Sequence, residues 1–271
     1  MKSNESLIAL DQHCAGLAHI LSDLPDGSDW DLVCDWLMIA ASIRKIKVET
    51  TQHNLSFGWC ALADEYDIAR QDLLTRFVEA CSVFNFTWGA LEATLNIIKL
   101  PKPPKKSKNR DTNPKIFKAY YYLNQEFASK RLLTGLVEEV NLFRESASVC
   151  LDTKVVNTDL LETTEFGFAG IGLLIVSQLR NQFAHGSLTF PVPLLHENDD
   201  SENLHESMIK HATRVVLIQL QMLLLAYFKR CDNLVTFSWH PNRELEKIPF
   251  YIAIQTCHLE QGDANFQISL L

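Results

Sequence analysis

The residues with the clearest potential for chemistry lie in one short stretch, Arg180-Asn181-Gln182-Phe183-Ala184-His185-Gly186. On an α-helix, positions i, i+3, i+4, i+7 and i+8 form one stripe, which here contains Ser177, Arg180, Asn181, Ala184 and His185. Arg180 and His185 mark the edges of that stripe, and Asn181 lies between them. An arginine presents a planar fork of hydrogen-bond donors, and a histidine exchanges a proton near neutral pH. This combination suits the recognition of a phosphate group.

The stretch closes a long apolar segment, Phe166 to Leu179, that has the pattern of a core-facing helix. The predicted inward side lies mostly opposite the polar stripe and consists of Ile171, Leu174, Ile175, Leu179 and Phe183. Gly186 directly after His185 is typical of the residue beyond a helix end, and Pro191 follows soon after. The sequence therefore predicts a helix that ends at His185.

An arginine and a histidine five residues apart also occur by chance, as a surface arginine beside a histidine favoured by the helix dipole. The whole pattern is more informative: Arg180, the polar Asn181, then His185 and a glycine, all at the end of an apolar helix. It resembles the Rx4–6H signature of the HEPN superfamily, many of whose members are ribonucleases. The resemblance covers residues 67–230 and implies a helical bundle that is a metal-independent endoribonuclease, acting as a toxin or defence effector.

The resemblance also implies a role for each residue. His185 is expected to act as general acid or base, Arg180 to stabilise charge on the phosphate, and Asn181 to orient His185 or the substrate. Family members often carry an acidic residue on an early helix near the cleft, and Glu92 fits that place. The ordinary alternative for Glu92 is an exposed carboxylate on a helix surface. Because family members usually dimerise with two motifs in one cleft, a homodimer is expected.

A short basic region precedes this part of the chain, with Lys99, Lys102, Lys105, Lys106, Lys108, Arg110, Lys115 and Lys118 against the single Asp111. Residues 100–115 contain proline, lysine, serine and asparagine without helical periodicity, which predicts a loop. Lys102, Lys105, Lys106 and Lys108 are the candidate RNA-binding residues, because lysines neutralise backbone phosphates. A solvated insertion without a ligand is the alternative.

Composition restricts the remaining possibilities. The chain of 271 residues has a formal net charge of −8, so broad nonspecific binding of nucleic acid is not expected. The seven cysteines are scattered and contain no CxxC pair, which is typical of a reduced, cytoplasmic protein. No signal peptide and no membrane span are evident. The sequence contains no zinc-type Cys/His cluster, Walker loop, GxGxxG or GxSxG, so neither a metal nor another cofactor is expected.

A mainly α fold is predicted, in which a HEPN-like four-helix bundle carries a small peripheral sheet. The principal helices are expected at residues 67–99, 130–149, 159–185 with a break near Gly167 and Gly170, and 202–230. Shorter helices are expected at residues 5–22 and 30–43. Three segments follow: an N-terminal extension over residues 1–66, the bundle over 67–230, and a β-rich extension over 231–271.

The sheet is expected to contain strands at residues 234–239, 250–255 and 266–270, with residues 46–59 as a further candidate hairpin.

RNA is the expected partner, together with an antitoxin or regulatory protein. Ser187, however, stands where some family toxins carry a tyrosine that the antitoxin modifies. Two other interpretations stay open. One is a HEPN-like module without catalysis that binds a partner protein or a nucleotide, and the other is an unrelated helical protein whose motif only caps a helix.

Overall fold

The computed structural model describes residues 7–24, 27–104, 114–128, 130–150, 167–193, 204–229, 231, 233–237 and 246–260. The described part of the chain is mainly α-helical. Its helices, in chain order, are α1 (Leu10–Ser22), α2 (Asp31–Ser42), α3 (Ala61–Ile97), α4 (Pro114–Glu126), α5 (Leu136–Cys150), α6 (Ile171–Ala184), α7 (Leu204–Phe228) and α8 (Phe250–Thr256). Two short strands, β1 (Leu234–Phe237) and β2 (Glu246–Pro249), form an antiparallel sheet at the periphery. The predicted mainly α fold with a small peripheral sheet is confirmed.

Helix α7 lies at the centre of the fold, and α1, α3, α4, α5, α6 and α8 all pack against it. Its residues from Ala212 to Leu224 are buried on every side. By length and composition α7 resembles a membrane-spanning helix, but 78% of its most apolar stretch is buried inside the protein. A helix that is apolar all round is the core helix of a bundle when its neighbours cover it.

Helix α3 divides into an exposed first part and a buried second part. From Phe77 onwards its apolar residues enter the core, whereas Leu62 and Ile68 in the first part are exposed. The helix starts at Ala61, six residues before the predicted start, and it ends at Ile97, shortly before the prolines that were expected to stop it. Trp36 of α2 lies so close to Gly89 that a Cβ at this position would be 2.7 Å from the indole ring. Glycine therefore sets the distance between α2 and α3.

One hydrophobic core includes residues from all three predicted segments, among them Leu17, Phe84 and Val235. The N-terminal helices α1 and α2 pack on each other, and they contact α7 and α3 respectively. The division of the sequence into three segments stays a prediction, and the described residues share this one core.

The interior contains a chain of polar side chains that links the two ends of the described chain to α7. Arg214 Nη1 donates to His13 Nδ1 at 2.8 Å, and Arg214 Nη2 donates to the Ile8 carbonyl. Gln221 bonds His13 Nε2 at 2.8 Å and His258 Nδ1 at 3.0 Å. Burial lowers the pKa of both histidines, to about 3 for His258, with the nearby Arg214 charge acting in the same direction. Both imidazoles are therefore neutral at pH 7.

Two predictions about strands are wrong. Residues 46–59 contain no strand; a 3-10 turn at Thr50–His53 packs instead on the start of α3. The reason is side-chain hydrogen bonding to α3, because Thr51 donates to Gln71 and Asn54 donates to Asp67.

Residues 250–255 form α8 rather than a strand, and β1 pairs with residues 246–249. Within α8, Phe250, Ala253 and Ile254 are buried at helical spacing, which a short apolar run does not distinguish from a buried strand.

The remaining helices differ from the predictions mainly at their starts. Helix α5 begins at Leu136 rather than at residue 130, since Gly135 adopts a φ of +78° that interrupts a helix. Helix α6 begins at Ile171, just after Gly170, where the predicted break lies. The predicted strand at residues 266–270 lies outside the described residues, as does the part before residue 167 of the helix predicted at residues 159–185.

Candidate active site at the end of helix α6

The C-terminal end of α6 has a defined backbone geometry. Gly186 adopts a φ of +67°, and the amides of Gly186 and Ser187 donate to the carbonyls of Phe183 and Gln182 at 3.2 and 2.9 Å. This pair of bonds is the Schellman motif, which requires a left-handed residue directly after the helix cap. The cap is His185, and its side chain is exposed. The predicted helix end is confirmed, and the chain holds an accessible imidazole at a fixed backbone position.

Arg180 lies one turn earlier and points towards α3. Its Nη2 is 3.7 Å from Oε1 of Glu92, and the two side chains are 37% and 41% exposed. The same Glu92 oxygen accepts a 2.8 Å hydrogen bond from the indole Nε1 of Trp88, whose side chain is buried. A buried indole therefore positions the carboxylate, and the carboxylate positions the guanidinium. The structure thus brings Glu92 and Arg180 together, although they are 88 residues apart in the chain.

The other end of α6 is held by α7. The side-chain oxygen of Gln219 accepts from the Leu173 amide at 3.0 Å, and its nitrogen donates to the Ala169 carbonyl at 2.7 Å. No side chain of the α6 start itself caps the helix. Gly172 allows close approach of the two helices, since a Cβ there would lie 2.5 Å from a methyl group of Val215. A buried glutamine from the core helix therefore caps the helix that carries Arg180 and His185.

Two side chains of α6 face the opposite way to the prediction. Ser177, expected on the exposed stripe, is only 5% exposed and donates to the Leu174 carbonyl. Phe183, expected in the core, is 39% exposed. The reason is that neighbours cover α6 on several sides along most of its length, whereas its last turn projects beyond them. The exposed residues at the end of α6 are Asn181, Phe183, Ala184, His185, Gly186 and Ser187.

The side chains of Arg180 and His185 leave the helix in different directions. Five residues correspond to about 140° around the axis of an α-helix. Arg180 accordingly contacts Glu92 on α3, while His185 lies past the last helical turn. One copy of the chain therefore presents its guanidinium and its imidazole on different sides of the helix end.

Of the predicted RNA-binding lysines, the structure describes Lys102. Lys102 is exposed in the segment after α3. Lys105, Lys106 and Lys108 lie outside the described residues. Their role as an RNA-binding group stays a prediction.

A second imidazole at the same end of the bundle was missed from the sequence. His205, at the start of α7, has its Nε2 3.5 Å from Oγ1 of Thr189 in the segment that follows His185. Burial lowers the pKa of His205, so its neutral form prevails at pH 7. No spacing rule links Thr189 and His205, because they are 16 residues apart and only His205 belongs to a helix. Within the described ranges, no three His, Cys, Asp or Glu side chains are grouped closely enough to hold a metal ion.

In comparisons with known proteins, no family model, no curated protein and no solved structure matches the chain.

Proposed function

We propose that the protein is a HEPN-type, metal-independent endoribonuclease. The observation that carries the proposal is the end of α6, where an exposed imidazole on a Schellman-terminated helix accompanies a guanidinium held by a carboxylate from α3. These are the groups that the sequence resemblance assigns to catalysis. The pairing of Glu92 with Arg180 adds support, because that resemblance suggested an acidic side chain from an early helix near the arginine.

The proposed reaction is transesterification within RNA. The 2′-oxygen attacks the adjacent phosphorus and forms a new O–P bond, while the bond from phosphorus to the 5′-oxygen of the next nucleotide breaks. One group removes the 2′-hydroxyl proton and another protonates the leaving 5′-oxygen, so the products are a 2′,3′-cyclic phosphate and a 5′-hydroxyl. His185 transfers protons, and Arg180 stabilises the charge on the non-bridging phosphate oxygens. Asn181, exposed between them, orients His185 or the substrate.

The proposed active form is a homodimer. One imidazole cannot serve as base and acid at the same time, and Arg180 and His185 of one chain point to different sides of the helix end. A two-fold axis beside α6 provides a second copy of each group, because an isologous contact brings the same surface patch together twice. The exposed Phe183 offers apolar area for that contact, next to the exposed Ala184. The buried Ser177 takes no part in it.

The basic segment after α3 is the proposed RNA-backbone contact, with Lys102, Lys105, Lys106 and Lys108 as its residues. Replacing these four lysines with glutamine should weaken RNA binding and reduce its dependence on salt, since each phosphate neutralised on a single strand contributes about 0.7 to the logarithmic salt slope. Fluorescence anisotropy with labelled RNA at several salt concentrations measures that slope. If the slope does not change, the segment does not contact RNA.

Cleavage in EDTA is the direct test of the catalytic proposal. Purified protein is incubated with mixed RNA, and the product ends are identified as cyclic phosphate and 5′-hydroxyl. His185→Ala and Arg180→Ala should each abolish cleavage, yet leave helicity and melting temperature nearly unchanged, because neither side chain is buried. The matched controls are His53→Ala and Arg70→Ala, which remove exposed side chains of the same types elsewhere. Cleavage by the His185→Ala protein at the wild-type rate would exclude the proposed role.

Mixing the two inactive variants tests the shared cleft. A dimer of one His185→Ala chain and one Arg180→Ala chain should recover part of the activity if one cleft uses His185 of one chain together with Arg180 of the other. Phe183→Asp should shift the protein towards monomer in light scattering and reduce cleavage with it. A monomer at micromolar concentration that cleaves at the full rate is incompatible with the composite site.

The second candidate is a HEPN-like module without catalysis that binds a partner protein or nucleotide. The Arg180–Glu92 ion pair favours it, because a guanidinium already paired with a carboxylate has a smaller share of its charge available to phosphate. Cleavage by the wild type separates the two candidates, and a Glu92→Gln variant then tests the role of the ion pair. Under the ribonuclease proposal its cleavage rate changes, whereas under the binding proposal no variant, and not the wild type either, cleaves RNA. A toxin or defence role in the cytoplasm, opposed by an antitoxin or regulatory protein, belongs to the ribonuclease proposal.

A further inference from the structure

A cleft of about 440 Å³ opens where α1, the end of α2, the middle of α3 and the start of α7 meet. The volume lies in the range of small-molecule sites, about 300–1,000 Å³. The apolar part of its lining consists of Leu10, Ala40, Ile43, Ala80 and Val83. The cleft therefore has room for a small ligand with an apolar body.

The charged side chains of the cleft balance, since three acidic and three basic residues line it. Two of these acids are already bonded to bases. Arg44 Nη1 is 2.6 Å from Oδ2 of Asp11, and Lys210 Nζ is 2.6 Å from Oε1 of Glu206. A cleft with no net charge does not attract a simple anion or cation. The charges that could bind a ligand are therefore the remaining acid and the remaining base.

The remaining base is Arg76, and the remaining acid is Glu79. Arg76 is 48% exposed, and its Nε is 4.0 Å from Oε2 of Glu206, which is beyond hydrogen-bonding distance. Among the residues that the structure describes, Arg76 has no other polar partner. Glu79 Oε2 accepts a long 3.4 Å bond from the Ile46 amide, and no described side chain pairs with this carboxylate. The cleft thus presents one guanidinium and one carboxylate that are available to a ligand.

The two groups lie on one face of α3, three residues apart, so their Cβ atoms are about 5–6 Å from each other. Ala80 and Val83 continue the same face, at four and seven residues from Arg76. A guanidinium binds a carboxylate with two parallel hydrogen bonds, and a carboxylate accepts from an ammonium group. A ligand that carries both charges on neighbouring atoms can therefore reach both side chains while its body lies on the apolar lining.

We infer that this cleft binds a free α-amino acid with an apolar side chain. The carboxylate of the amino acid bonds to Arg76, its ammonium group to Glu79, and its side chain packs on Ala80 and Val83. A peptide terminus presents only one of the two charges and leaves the other protein group without its partner. The inference does not depend on the proposed function, because Arg76 and Glu92 are 16 residues apart on α3, about 24 Å along the helix.

Titration calorimetry with leucine and three related ligands is the primary experiment. The wild type should bind one molecule of leucine. Leucinamide lacks the carboxylate and represents a peptide N-terminus, whereas N-acetylleucine lacks the ammonium group and represents a peptide C-terminus. Each should bind about tenfold more weakly, because a hydrogen bond to a charged group is lost. Glycine should also bind about tenfold more weakly, because it has no apolar side chain to bury.

Two single variants assign the charges. Arg76→Gln should weaken leucine binding about tenfold and leave the affinity for leucinamide nearly unchanged, since leucinamide has no carboxylate to lose a partner. Glu79→Gln should weaken leucine binding to a similar degree and leave the affinity for N-acetylleucine nearly unchanged. The matched controls are Arg70→Gln and Glu65→Gln, exposed positions of α3 outside the cleft, which should bind leucine normally. Circular dichroism verifies the fold of each variant.

Three results would overturn the inference. The first is a wild-type protein that does not bind leucine at millimolar concentration. The second is binding of leucinamide or N-acetylleucine as tight as that of leucine, which would assign the cleft to a peptide terminus. The third is normal leucine binding by folded Arg76→Gln or Glu79→Gln protein, which would place the ligand elsewhere.

Discussion

Gln219 is the residue whose replacement tests most directly how the fold positions the candidate site. Its side-chain oxygen accepts from the Leu173 amide and its nitrogen donates to the Ala169 carbonyl, in a part of α7 with no exposure to solvent. Gln219→Leu keeps the approximate shape and removes both bonds. A buried polar group left without its partner costs about 1–3 kcal/mol. The Leu173 amide keeps a 3.1 Å bond to the Gly170 carbonyl, so its share falls at the low end.

Together the two groups give an expected loss of about 2–4 kcal/mol, a large part of the 5–15 kcal/mol by which proteins are typically stable. For a chain of this size that corresponds to a decrease in melting temperature of about 4–16 °C. Urea unfolding followed by circular dichroism measures the loss, and the slope of the transition should not change if only the folded state is affected.

The matched control is Gln125→Leu, at an exposed position of α4, which should change stability by no more than about 0.5 kcal/mol. Gln219→Glu adds a second comparison. Its carboxylate still accepts from the Leu173 amide but cannot donate to the Ala169 carbonyl, and it adds a buried charge. It should therefore destabilise the protein more at pH 7 than Gln219→Leu does. A loss for Gln219→Leu no larger than that of the control would refute the capping role of this side chain.

Three further predictions concern pH, packing and thiols. The folded-state pKa values of His13 and His258 lie below their unfolded values, so the stability that the neutral imidazoles contribute is complete above about pH 6.5 and is lost as the pH falls towards 3. Urea unfolding between pH 7 and pH 4.5 should show the decline, and His258→Asn should flatten it; an equally steep decline in the variant would contradict the assignment. Gly170→Ala places a Cβ 2.7 Å from backbone atoms of α4 and should cost about 3 kcal/mol or more by thermal melting, whereas Gly16→Ala, which meets only ordinary contacts, should be tolerated. Cys60 is exposed and should react first with a thiol reagent, as peptide mass analysis would show; faster labelling of a buried cysteine would contradict the described packing.

The sequence predicted features that depend on neighbouring residues along the chain. The apolar repeat of α7 and of the second part of α3 is strong enough to specify buried helices over many turns. The end of α6 was predictable for a related reason. Gly186 directly after His185 fits a left-handed cap, and the two amides that close the helix bond to carbonyls only three to five residues earlier. Arg180, Asn181 and His185 could be placed on a helix end from the sequence, and the proximity of Arg180 to Glu92 was suggested only by the resemblance.

Short segments with two compatible patterns needed the tertiary structure. The apolar residues 250–255 fit a strand as well as a helix. The helix is favoured by packing against α7 and by Pro249, which stands directly before the first helical residue. Residues 46–59 alternate weakly, but their polar side chains bond to the first turns of α3 instead of leaving the backbone to pair as a hairpin. In both cases the deciding contacts come from another element of the fold.

The orientation of the candidate site was likewise a tertiary property. A helical stripe assigns Ser177 to the exposed side and Phe183 to the core, yet the reverse holds, because burial depends on where the neighbouring helices end and not on angular position alone. The start of α6 has no capping side chain of its own and relies on Gln219, which is 46 residues from Leu173 in the chain. Residue types and local spacing therefore specified which groups stand at the end of α6. Contacts with α3 and α7 specified where Arg180 points and how α6 begins, because the Arg180–Glu92 ion pair and the Leu173–Gln219 hydrogen bond join residues that only the folded chain brings together.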